Sequence, residues 1–253
     1  MYKNSFRKRI PLLSLLASSL LLMTSCIPKT AGIEKQPWFV YGKDYVEGYE
    51  MAQKSGDTDE AKVLSSMQQI ERATKNYLNS KPPNEKEILR VLNSKDDSIS
   101  KIALGAMALR PLPEYAVIKK IISFLNHPSE LHRDFASLAL LKVDKSEIRD
   151  YQDLGEMIFE IIEKETDSIV LARGMESLGK FNNPKYLPFI VRYLKNPDNH
   201  LYYYSSFRAL KAMDDRYFQQ VRSQLQKQGD IETLKAIDRT QNVWETRQQA
   251  PPE

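Results

Sequence analysis

The chain has 253 residues, of which 42% are hydrophobic and 28% charged, with a formal net charge of +4. It is too apolar to be intrinsically disordered and long enough to bury a sizeable core. One Cys and three His exclude a disulfide framework and argue against a closed zinc site, so no metal is expected.

Lys3, Arg7, Lys8 and Arg9 precede an uncharged run from Ile10 to Met23, and no acid occurs before Glu34. A basic start followed by a short apolar run has the layout of a secretory signal. The run falls short of the ~20 residues that a membrane span needs. It ends Leu22-Met23-Thr24-Ser25-Cys26. In an exported chain, that lone Cys has no intramolecular disulfide partner. The segment resembles the lipobox of bacterial lipoproteins, with Met23 where Leu is usual. The resemblance implies a signal peptide over 1–25, cleavage between Ser25 and Cys26, and a covalent lipid on Cys26 as the only bound group. It also implies a membrane partner. Ile27 after the Cys favours the outer over the inner membrane of the cell envelope. Removing residues 1–25 takes away four cations and leaves 33 basic and 33 acidic residues. With the charges balanced, nothing points to nucleic acid as a partner.

Residues 26–56 begin polar and are expected to form a lipidated tether. Within them, Pro37-Trp-Phe-Val-Tyr-Gly-Lys-Asp-Tyr-Val-Glu-Gly-Tyr49 packs five aromatics into thirteen positions. Such a strip either covers the open end of the fold behind it or docks a partner or lipid headgroups. Asp57-x-x-Glu60 is capping-box-like. Val63, Met67, Ile70, Thr74 and Tyr77 then fall on one helical stripe, and Lys81-Pro82-Pro83 stops it. This predicts an N-terminal capping helix over 57–80. No strand-like alternation follows, so the fold class is all-α.

Four segments share one layout: Ile88 to Leu109, Ile118 to Leu140, Ile158 to Leu178 and Ile190 to Leu210. Each has a short apolar helix, a polar turn, and a second helix with a small residue four before a Leu. These pairs are Gly105/Leu109, Ala136/Leu140, Gly174/Leu178 and Ser206/Leu210. Small residues let helices approach to ~8–10 Å. Asp167-Ser-Ile-Val170, Glu176-Ser-Leu-Gly-Lys180 and Leu194-Lys-Asn-Pro-Asp198 resemble short HEAT repeats of the phycobilin-lyase-like kind. Val170 keeps the family's Val, whereas Tyr202, His132 and Lys101 occupy the positions read as its equivalents. The resemblance implies four repeats over 84–213 in a right-handed α-solenoid of about five antiparallel helix pairs. Residues 214–253 read as a C-terminal capping helix pair and tail. Asp214-Asp215 starts it, Gly229 breaks it, and the stripe Ile231, Leu234, Ile237 thins out.

Chemistry is sparse. Gly174-Met-Glu-Ser-Leu-Gly179-Lys180 matches seven positions of a phosphate loop, but Phe181 stands where Ser or Thr should hold Mg²⁺. Both Gly belong to a predicted helix, so no nucleotide is expected, and Lys180 reads as an exposed helix position. Asp96-Asp97 and Asp214-Asp215 read as helix caps. His127 and His132 can approach each other, with no third ligand evident. No catalytic residue emerges, so the chain reads as a non-enzyme. The resemblance leaves the alternative of an accessory subunit or lyase-like enzyme. Tyr202-Tyr203-Tyr204 cannot all face a core. They either pack on a neighbouring helix or join an outward row of Asp134, Leu138, Ala172, Glu176, Tyr204 and Arg208. Tyr203, Tyr204, Arg208, Asp134, Leu138 and Glu176 are thus the candidate protein-binding residues. The expected function is a lipid-anchored scaffold that binds an envelope protein or peptide.

Overall fold

The structure, a computed structural model, describes residues 32–55 and 59–249, with side chains to Thr246. The signal segment, Ser25 and Cys26 lie outside the described residues. All regular structure among the described residues is helical. The helices are α1 Pro37–Ser55, α2 Glu60–Leu78, α3 Glu85–Leu92, α4 Asp97–Leu109, α5 Tyr115–Ser123, α6 Glu130–Lys142 and the single turn α7 Lys145–Ile148. Then come α8 Gln152–Ile162, α9 Ser168–Gly179, α10 Leu187–Leu194, α11 His200–Ala212, α12 Asp215–Lys227 and α13 Ile231–Gln249. No described helix is long and apolar enough to cross a membrane.

Local chemistry sets the helix ends. Asn84 and Glu87 form a reciprocal capping box at α3. Asp96 accepts from Ser98 N at α4, and Asp167 accepts from Ile169 N and Val170 N at α9. At α2 the cap is Asp59, which accepts from Lys62 N at 3.2 Å, rather than the expected Asp57. Asp214 precedes α12 but makes no capping bond. Its carboxylate instead accepts from Asn182 Nδ2 at 2.7 Å and from Arg149 at 2.9 Å, tying three inter-helix turns together. Gly229 ends α12 at φ 70°, a conformation that costs Gly little.

The helices associate in sequence order. α3 pairs with α4, α5 with α6, α8 with α9, α10 with α11, and α12 with α13. The second helices also pack on one another, α4 on α6, α6 on α9, and α9 on α11, while α3 packs on α5 and α5 on α8. The apolar stripes of the first helices are mostly buried. Ile88, Val91 and Leu92 of α3, Val117, Ile118, Ile121 and Ile122 of α5, and Ile190 and Leu194 of α10 are all 0–1% exposed. Full burial of each such side chain contributes about 1.5–3 kcal/mol before entropy.

Two expectations change. The aromatic strip, placed within the tether, is a helix: as α1 it covers the fold, the first of its two expected roles, packing on α2 and α4 and burying Trp38, Phe39 and Tyr45. The first repeat is also out of register. Counted from the cap residue, Ala136, Gly174 and Ser206 each stand seven positions into their helices. Seven after Asp96 is Ala103, not Gly105, and Met107 takes the Leu position; both are 0% exposed. By the same count the counterpart of Val170 is Ile99 rather than Lys101. Gly105 is small for another reason. A Cβ there would lie inside van der Waals contact of Val46 on α1. The long interval between Ala136 and Gly174 accommodates α7, whose cap is an Asp144/Glu147 box.

Candidate functional site

α11 carries the three consecutive tyrosines, and their 100° spacing sends each to different surroundings. Tyr202 is half-buried, with its ring 5.1 Å from that of Tyr193 on α10. Tyr203 is 3% exposed, and its hydroxyl lies 3.0 Å from Thr240 Oγ1 on α13. Burial, above all, raises its pKa. Tyr204 is 49% exposed and leans on the rings of Tyr203 and His200 at 5.5 and 6.2 Å. It borders a cleft of about 280 Å³ between α11 and α13, with Pro197, His200, Glu232 and Arg239 on its walls. One turn further along α11, Arg208 is exposed and pairs with Glu176 of α9 at 3.6 Å. Burial raises the Glu176 pKa, with the Arg208 charge opposing it. Tyr204 and Arg208 therefore form one accessible polar-aromatic patch, with the mostly buried Glu176 at its edge.

The other candidate residues do not join it. Asp134 is 5% exposed and belongs to the interior. Its carboxylate accepts from Tyr49 Oη at 2.5 Å and forms an ion pair with Arg173, which also donates to the Asp134 carbonyl at 3.3 Å. The rings of Tyr45 and Tyr49 lie tilted against that of Phe135, at 6.0 and 5.0 Å. The expected outward position is covered because α1, read as tether, lies there as a helix. Burial and the Asp134 hydrogen bond together raise the Tyr49 pKa. Leu138 is half-buried against the core and Ala172 is buried. Tyr203 is likewise withdrawn from the surface, because α13 packs over it.

The Gly174–Lys180 segment is helical, as read, and its amides serve α9 rather than a phosphate. A Cβ on Gly174 would stand 2.5 Å from Ile162 Cγ2, and one on Gly179 would run into the carbonyl of Ala209. Lys180, however, is not an exposed helix position. Its Nζ donates to the carbonyls of Leu140 at 3.2 Å, Leu141 at 2.6 Å and Val143 at 2.5 Å. These are carbonyls at the C-terminal end of α6, where helices leave acceptors unpaired. Burial pushes the Lys180 pKa down to about 8, with Glu176 and Asp144 opposing.

Where α4 meets the α5–α6 turn, Asp97, His127 and His132 place one ligand-type atom each within 4.8 Å of one another. Asp97 is thus the third group that sequence could not supply. The His127 and His132 rings stack at 4.0 Å. His132 Nε2 lies 3.0 Å from the Asp97 carbonyl and 3.2 Å from Ser100 Oγ. His127 Nδ1 accepts from Ser129 N–H at 3.1 Å. A carbonyl can only accept, so His132 carries its proton on Nε2. The Ser129 amide likewise leaves the His127 proton on Nε2. Each ring thus already spends one nitrogen on backbone. Burial, then the neighbouring His127, lowers the His132 pKa, with Asp97 opposing.

Comparison with protein-family models, with curated proteins and with solved structures finds no match to this chain.

Proposed function

We propose that this chain is a lipid-anchored envelope protein whose helix pairs form a right-handed, HEAT-type α-solenoid used as a protein-binding scaffold. The observation that supports this most directly is the packing order. Second helices α4, α6, α9 and α11 each lie on the next in sequence. Stacking of this kind yields an extended surface rather than a central pocket. The accessible end of that row carries Tyr204 and Arg208, residue types that dominate protein interfaces. The lipobox-like Met23-Thr-Ser-Cys26 supports the anchor, and Ile27 supports the outer membrane as destination. Two or more acyl chains hold a protein stably at a bilayer.

Mass spectrometry of the mature N-terminus tests the anchor. An acylated Cys26 is expected, and Cys26→Ala should give unprocessed or released protein. A wild-type chain with intact Met1 and no acyl group overturns it. Pull-down from detergent-solubilised envelopes tests the scaffold. A near-stoichiometric partner should be recovered with wild type and depleted with Tyr204→Ala.

A further inference from the structure

The two sides of the last helix junctions are built differently. On the second-helix side, α9 meets α11 so closely that Gly179 has no room for a side chain against Ala209. On the first-helix side, α10 and α12 leave a groove of about 430 Å³. Leu187 and Val221, 8% and 3% exposed, form its floor together with the half-buried Val191. Arg192 and Lys195 stand on one rim, and Gln220 and Gln224, one turn apart on α12, on the other. No acid lines the groove.

The two cations are set apart from their neighbours. Lys185, Arg216 and Arg222 are each ion-paired, with Glu156, Asp214 and Asp238 respectively. Among the described residues, neither Arg192 nor Lys195 has a carboxylate in ion-pair range. Arg192 is held over the rings of Phe189 and Tyr193, at 5.2 and 4.9 Å, and donates to Tyr193 Oη at 3.2 Å. Lys195 Nζ donates to Gln228 Oε1 at 2.9 Å. Both are therefore positioned cations without counter-charge, beside an apolar floor.

We propose that the α10–α12 groove docks an acidic, aliphatic peptide segment of a partner protein. The partner's apolar side chains would lie on Leu187, Val191 and Val221. Its carboxylates would meet Arg192 and Lys195, where a planar guanidinium can hold a carboxylate in two-point contact. Gln220 and Gln224 offer amide donors and acceptors to the peptide backbone. Two cations are few for a polyanion, whose binding rests on many phosphate contacts. An apolar floor with a charged rim matches the anatomy of a protein interface instead. The inference rests on the protein-binding reading above and names a second, chemically defined surface for it.

The full chain, immobilised from detergent, is panned against a displayed library of random short peptides. Selected peptides should be enriched in Asp and Glu next to Leu, Ile or Val. A synthetic peptide from that set should bind about tenfold more weakly to the Arg192→Glu/Lys195→Glu double variant. Its affinity should also fall as salt is raised from about 50 to about 500 mM. The double variant should melt with the wild type, since both side chains are exposed. Selected peptides without acidic bias, or binding indifferent to the double variant but lost with Tyr204→Ala, overturn the groove and leave the scaffold reading standing. Failure of wild type to select any peptide also overturns the groove, and the envelope pull-down then decides the scaffold reading by itself. Loss of binding to anionic phosphatidylglycerol vesicles in the double variant, with no peptide selected, assigns the cations to lipid and overturns the proposal.

Discussion

The row of second helices is covered in its N-terminal half and open at α11, towards its C-terminal end. Near α4 and α6, aromatic side chains from α1 lie across it. Val46 fills the space over Gly105, and Tyr49 caps Asp134. At α11 no helix among the described residues lies over Arg208 or Tyr204, and both are exposed, while Glu176 of α9 is mostly buried beside them. The same helical position therefore means stability near one end and access at the other. Substitutions along the row should separate the two ends, and the junction between α9 and α11 should respond most.

Gly179→Val drives a branched side chain into the backbone of Ala209, which no rotamer change can relieve. The loss should be about 3 kcal/mol or more. Urea unfolding should show it as a large fall in midpoint, and a near-normal midpoint would mean that α9 and α11 do not touch there. Gly174→Val should cost somewhat less, because the neighbour is the Ile162 side chain and can move.

Asp134→Ala comes next, at about 2–3 kcal/mol. It leaves Arg173, half-buried, without its carboxylate and removes the acceptor of Tyr49. Partner binding by the folded fraction should be unchanged. If Asp134→Ala keeps its melting temperature and loses binding, the covered half is an interface after all.

Sequence spacing located the helices well but placed contacts poorly. The stripes of α3, α5, α8 and α10 are periodic and were legible because burial itself imposes the period. α1 was not legible as a helix, since its crowded aromatics read as a strip within the tether. Its aromatics Trp38, Tyr45 and Tyr49 in fact recur at near-helical spacing, the signal that could have found it. Gly42 and Gly48 are there so that α1 can approach Ala106 and Ile70 closely. Asp134 could not be placed from sequence at all. Its partners Tyr49 and Arg173 are 85 and 39 residues away, and no local pattern carries such a pairing. Of the accessible patch, Tyr204 and Arg208 were legible from the 100° spacing alone. The α10–α12 groove was not, since it depends on how far two helices stand apart.

Lys180 ranks third. Lys180→Ala should cost about 1–2 kcal/mol near neutral pH, because three carbonyls of the preceding helix pair lose their donor. Its pKa also sets a pH dependence. The folded value is about 8 against an ordinary 10.5, burial being the cause. Between those values the unfolded chain still holds a proton that the folded chain has released. The stability linked to this group is therefore complete above about 10.5 and lost as pH falls through 8. Relative to Lys180→Met, the wild type should gain stability as pH rises from about 7 to about 10. Deprotonation gives up one of three donors, yet it also removes a buried charge, and burial is the larger effect. A difference that stays flat across that range would place the ammonium in water.

Tyr204→Ala should have the smallest effect on stability and the clearest effect on function. Its ring touches Tyr203 and His200 but is half in solvent, so the melting temperature should move little, within about 0.5 kcal/mol. Truncating an exposed aromatic anchor at an interface costs about 1–2 kcal/mol of binding, roughly a tenfold weakening or more. Arg208→Ala should behave alike, because its 3.6 Å pair with Glu176 is exposed on one side and stabilises little. The contrast with Tyr203→Ala is the sharper measurement. Tyr203 sits one residue away but is buried under α13, so its loss should lower stability and leave the affinity of the folded protein nearly unchanged. If Tyr203→Ala and Tyr204→Ala instead lower stability equally, the tyrosines act together as packing for the C-terminal helices. The open end of the row would then lack its aromatic anchor.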